Sequence, residues 1–77
     1  MAVTEGREAE IDAQLERLEE EERLVSARRR SLHDRMAIYP EQAERLGPKE
    51  REISQLRREL HRQIDELRVE RSALHAE

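Results

Sequence analysis

The chain has 77 residues, 44% charged and 35% apolar, with a net charge of −4, one aromatic residue and no cysteine. That composition excludes a sheet sandwich or barrel, which needs β-branched and aromatic residues and many turns. It also excludes a disulfide framework and a thiolate metal site. No apolar run approaches the ~20 residues of a membrane span, and no signal peptide is visible. What remains is an expected soluble, cytoplasmic, charged helical protein.

Taken in chain order, Thr4 is placed to cap a first helix running from Glu5 to Ile38, within a first segment of residues 1–39. Its apolar residues Ile11, Leu15, Leu18, Val25, Leu32, Met36 and Tyr39 recur at steps of three and four, and Glu22 and Arg29 fall in the same seam. Met36, Ile38 and Tyr39 read as core at the tip. Residues 1–22 carry nine acids against two arginines, an acidic arm suited to a basic partner surface. A connector is expected over residues 40–47, bounded by Pro40 and by Gly47, which suits a helix C-cap or a turn. Proline is tolerated in the first turn of a helix, so Pro48 reads as the start of a second helix that runs to about Ala76, in a segment of residues 48–77. Its seam is Ile53, Leu60, Ile64, Leu67 and Leu74, interrupted by Glu50, Arg57 and Arg71.

Sustained three-four spacing is the coiled-coil signal. Two such helices with a short connector predict an all-α fold, an antiparallel two-helix coiled-coil hairpin. Narrow apolar stripes enclose little core, so a second copy is expected, giving a dimeric helical bundle.

An internal repeat lies across the connector. The segment from Glu22, ERLVSARRRSLH, and the segment from Glu50, EREISQLRRELH, share seven of twelve positions at an offset of 28 residues, which is four heptads. Within the second copy, Glu50, Ser54, Arg57, His61 and Asp65 fall within about an 80° arc over about 22 Å of helix. This polar line runs along a face that should be apolar. It either specifies register or meets a ligand. With the connector's midpoint near residue 43 or 44, Glu22 would face Asp65, Ser26 would face His61, His33 would face Ser54, and Arg29 would lie beside Arg57. Two arginines ~5 Å apart repel by roughly 3 kcal/mol at an effective dielectric near 20, which calls for an anion between them. The arginine fork pairs with phosphate or with the Hoogsteen edge of guanine, and it stacks on bases. Carboxylates accept from guanine's Watson–Crick N–H groups, and Ser54 can donate to phosphate.

The spacing of Glu50, Ser54, Arg57, His61 and Asp65 resembles the signature of the RsiG-type anti-sigma factors of actinobacteria, in the small single-motif kind. In that family the fourth position is Gln; His61 stands there here, and one imidazole nitrogen cannot donate and accept as an amide does. Glu22, Ser26, Arg29 and His33 repeat the spacing in the first helix, with Ala37 at the Asp position, as a possible secondary set. The resemblance implies cyclic di-GMP as a regulatory ligand held on an antiparallel coiled coil. It further implies two chains closing over two intercalated nucleotides, and a sigma factor of the flagellar and sporulation type as partner. Charge alone nominates the acidic first helix as the surface that meets the sigma factor. A structural coiled-coil adaptor without a ligand is the alternative. No catalytic set is recognisable, so no enzyme activity is expected. With His33, His61 and His75 as the only histidines and no paired spacing, no metal site is expected either. His75 reads as a solvated residue at the helix end. Net negative charge and a single aromatic argue against direct nucleic-acid binding.

Overall fold

The computed structural model describes the backbone of residues 2–75 and the side chains of residues 6–75; Met1, Ala76 and Glu77 lie outside it. The described chain is all-helical: α1 (Ala2–Ile38), a short 3-10 helix (Pro40–Gln42) and α2 (Ala43–His75). Helices α1 and α2 pack against each other in a rod of 59 × 15 × 14 Å. Their contacts run in opposite chain order. Glu8 near the start of α1 meets His75 at the end of α2, and His33 near the end of α1 meets Glu50 near the start of α2. No described helix is long and apolar enough to cross a membrane.

The turn sits earlier, and is shorter, than the 40–47 connector expected from sequence. A residue before proline is pushed out of the α region by the proline ring. Tyr39, before Pro40, accordingly takes φ −122° and ψ 76°. Its N–H still bonds to the Arg35 carbonyl, closing the last turn of α1, and the Gln42 N–H bonds to the Tyr39 carbonyl. From Ala43 the chain is α-helical again, with φ −57° and ψ −40°. Pro48 is therefore not the start of the second helix but lies inside α2, and Gly47 is helical, with no positive φ. The clash that ends a helix before proline involves the Cβ of the preceding residue. Gly47 has none, so the helix passes through Gly47 and Pro48 where it stopped at Tyr39 and Pro40. Thr4 also differs from expectation: α1 begins at Ala2, so Thr4 lies within it rather than capping it.

The main core is Ile11, Leu15, Leu18 and Val25 from α1 against Leu60 and Ile64 from α2, with Ile53, Leu67 and Leu74 packed around it. Leu32 and Leu46 are buried nearer the turn. Met36 is half-buried, but the other residues expected as tip core are not: Ile38 is 67% exposed and Tyr39 48%. The early turn leaves only one short 3-10 turn to cover them.

Proline at position 48 has no N–H to give to the Glu44 carbonyl, a missing bond inside a helix. Pro48→Ala should raise stability, by at most about 3 kcal/mol. Gly47→Ala should add about 1 kcal/mol in the Pro48→Ala background and less in the parent chain, where the new Cβ meets the proline ring. Urea unfolding of the four chains measures that coupling. If Gly47 served as a turn glycine, its alanine variant would lose stability in both backgrounds.

Candidate functional site

The seam charges meet at mid-rod. Placing the turn at residues 39–42 shifts every cross-helix partner by one helical turn from the pairing expected for a midpoint at 43 or 44. Glu22 meets His61 rather than Asp65, with Nε2 of His61 3.2 Å from Glu22 Oε1. Ser26 meets Arg57 rather than His61: Arg57 Nε donates to Ser26 Oγ over 3.0 Å. Arg29 Nε donates to Ser54 Oγ over 3.0 Å. His33 meets Glu50 rather than Ser54, with 3.0 Å between Nε2 and Oε1. Within each helix the serine hydroxyl donates back to the glutamate four residues earlier, Ser26 to Glu22 at 2.6 Å and Ser54 to Glu50 at 2.7 Å. An ionised carboxylate only accepts, so in each imidazole the Nε2 carries the proton.

Two equivalent quartets result. One is Glu22, Ser26, Arg57 and His61; the other is Glu50, Ser54, Arg29 and His33. The 28-residue repeat exchanges them, so the pair has local pseudo-two-fold symmetry. Each half of the repeat gives its Glu and Ser to one quartet and its Arg and His to the other.

The expected arginine–arginine repulsion is met internally. Arg57 Nε lies 3.5 Å from Glu22 and Arg29 Nε 3.7 Å from Glu50, each across the helix pair. The arrangement therefore closes without an anion. The two carboxylates, at 20% and 23%, are less exposed than the arginines and imidazoles, which stay about 40–50% open. The Ser26 hydroxyl holds the Glu22 carboxyl below its ordinary value of 4.5, with smaller help from His61 and Arg57. The Ser54 hydroxyl, then His33 and Arg29, do the same for Glu50.

Arg29 and Arg57 together line two adjoining surface grooves. One, of about 370 Å³, is completed by Glu50, Arg51, Ser54 and Arg58. The other, of about 340 Å³, is completed by Ser26, Arg30, His33 and Asp34. Arg51, Arg58 and Arg30 thus bring further positive charge to the site. None of the three stands among the residues singled out by the repeat's spacing. Their place beside Arg57, Ser54 and Arg29 along the helix is the signal that could have found them. Asp65 is not gathered in. It is exposed, one turn beyond His61, and lies in a shallow surface depression with Arg62, Glu66 and Val69.

The quartets belong to a longer ladder on one flank of the rod. Beyond them Arg68 bonds Glu19 at 3.1 Å, Arg71 bonds Asp12 at 2.6 Å, and His75 bonds Glu8 at 3.0 Å. His75, exposed at the end of α2 as expected, is therefore also a cross-helix partner. Among the described residues, no group of three or more His, Cys, Asp or Glu side chains is placed to hold a metal ion. No family model, curated protein or solved structure matches the chain.

A carboxyl whose folded pKa lies below its unfolded value binds more protons when unfolded, so it contributes stability above the unfolded value and loses it as pH falls through the folded value. Acidification below 4.5 should therefore loosen the helix pair at Glu22 and Glu50. Glu22→Gln with Glu50→Gln should flatten the acid side of a thermal-midpoint-versus-pH curve, modestly because both groups reach solvent. An acid limb unchanged in that variant would assign the acid sensitivity to other carboxylates.

Proposed function

We propose that this chain is a cyclic di-GMP-responsive anti-sigma factor, a regulatory binding protein in which the two quartets receive the nucleotide. The observation that carries the reading is the meeting of Arg29 and Arg57 over a pair of adjoining grooves, each arginine beside a serine hydroxyl and a partly buried carboxylate. The donor set matches a guanine nucleotide. Arg29 and Arg57 offer forks to phosphate or to guanine's Hoogsteen edge. Glu22 and Glu50 accept from the Watson–Crick edge, and Ser26 and Ser54 turn their hydroxyls to phosphate. A two-fold symmetric dinucleotide suits two pseudo-symmetric quartets. Cross-helix pairs as open as these are weakened by solvent screening, so a ligand exchanges them for its own contacts at small cost. Asp65, one turn beyond His61, is left outside this set.

The nucleotide acts by linkage: it stabilises the antiparallel hairpin, alone or as a dimer, in the arrangement that a sigma factor of the flagellar and sporulation type recognises. The second reading is an adaptor whose quartets only set register. The closed internal pairing of all eight side chains favours it.

Calorimetric titration with cyclic di-GMP, with linear pGpG as control, separates the two. The expected outcome is saturable binding of the cyclic form. Arg57→Ala or Arg29→Ala should each weaken it by roughly 1–3 kcal/mol while helix content is retained. Similar losses from the two arginines would follow from their symmetric placement. Absence of heat at micromolar protein, alone and with a candidate sigma factor, would leave the adaptor reading in place.

A further inference from the structure

The two flanks of the rod are unlike. Seven cross-helix pairs line one of them: Glu8–His75, Asp12–Arg71, Glu19–Arg68, Glu22–His61, Ser26–Arg57, Arg29–Ser54 and His33–Glu50. The other carries one, Arg7–Glu70 at 2.8 Å, near the end away from the turn. At 100° per residue, Leu24 and Leu56 fall on the other side of the seam from every one of these rungs. Leu24 is 54% exposed and Leu56 47%. They sit near mid-rod on facing stretches of α1 and α2, and further from the turn an interhelix groove on the same flank is lined by Gln14, Arg17, Gln63, Glu66 and Glu70.

Charge divides about this apolar centre. Residues 23–58, the half of the rod nearer the turn, hold ten Arg or Lys against five Asp or Glu. The rest of the chain holds five against fourteen. A rod with one basic and one acidic half and an apolar middle is complementary to itself when a second rod is laid against it end for end. No other partner is so well described by the same surface.

We propose that the flank bearing Leu24 and Leu56 binds a second copy of this chain about a two-fold axis that passes between these leucines and crosses the rod. Each leucine then packs near its counterpart. The basic half of each copy lies along the acidic half of the other, with Arg28 near Glu21 of the second copy and Lys49 near Glu66 of the second copy. All four of these charged side chains are exposed in the single rod. A side-by-side contact on a rod 59 Å long and 15 Å wide has room for the roughly 800 Å² per partner of a standard interface. The axis leaves both ladder flanks, with their quartets, facing outward. The pairing is therefore distinct from one bridged by nucleotide at the quartets, and it does not rest on the nucleotide reading.

The test is sedimentation equilibrium of the full chain without nucleotide, across a concentration series. The parent chain, of 9.2 kDa, should fit a monomer–dimer equilibrium. Leu24→Glu with Leu56→Glu should shift it to monomer while circular dichroism keeps its helix signal, since both side chains are solvent-facing in the single rod. Charge reversal tests the end-for-end arrangement. Arg28→Glu with Lys49→Glu, and separately Glu21→Arg with Glu66→Arg, should each weaken self-association at least about tenfold. An equimolar mixture of the two reversed chains should associate again. A parent chain that stays monomeric throughout overturns the proposal. So does a dimer indifferent to the leucine substitutions, or a flank that is protected from hydrogen exchange only when a sigma factor is added. A failed nucleotide titration leaves these readouts untouched, so the two proposals fail separately.

Discussion

The steric conflict between Tyr39 and the ring of Pro40 decides where the chain turns, and the remaining geometry depends on it. With the break at Tyr39 and only Pro40–Gln42 before the next helix, the residue opposite any position on α1 is set to within one helical turn. Moving the turn by two residues would move each partner by four. Glu22 would then face Asp65, a like-charge contact, and Ser26 would lose Arg57. At the observed position the Glu, Ser, Arg and His of both quartets each find a complementary group across the seam. Turn sterics and side-chain pairing therefore select the same register, the agreement between local and tertiary preference expected of a chain with one packed state.

The repeat gains its meaning from that register. Two copies of the same polar line on one long helix would be two separate features. Folded back with helix directions opposed, they exchange partners and form two equivalent quartets. Neither copy completes a quartet alone, since Glu and Ser come from one helix and Arg and His from the other. The polar layer interrupts the apolar seam between Leu18 and Leu32 on α1 and between Ile53 and Leu60 on α2, leaving Val25 as its apolar neighbour. Polar residues in a seam lower stability and specify pairing, and the open arginines and imidazoles keep the same layer accessible to a ligand.

The two flanks of the rod differ in how they are built. Seven cross-helix pairs hold the helices together along one edge, against the single pair Arg7–Glu70 on the other. The other edge has its exposed leucines in the middle and opposite net charges towards its ends. A small chain with a narrow core gains most from burying such an edge against another chain.

The helical class, the seam residues and the polar line of Glu50, Ser54, Arg57 and His61 were legible in the sequence, because periodicity and spacing belong to one helix at a time. The 28-residue repeat was legible for the same reason. The partners were not. They depend on where the turn falls: Pro48, the more obvious breaker, costs a hydrogen bond but does not end the helix, since Gly47 before it has no Cβ to clash, while Pro40 ends the helix at Tyr39. Asp65 shares the stripe on paper yet lies one turn outside the quartets, and His75 shares nothing with the motif yet bridges to Glu8. The sequence by itself determined which residues line each helix face. Only the tertiary structure decided which faces meet and in what register, because that choice is made by sterics at a single peptide bond and by pairings between residues up to 67 positions apart.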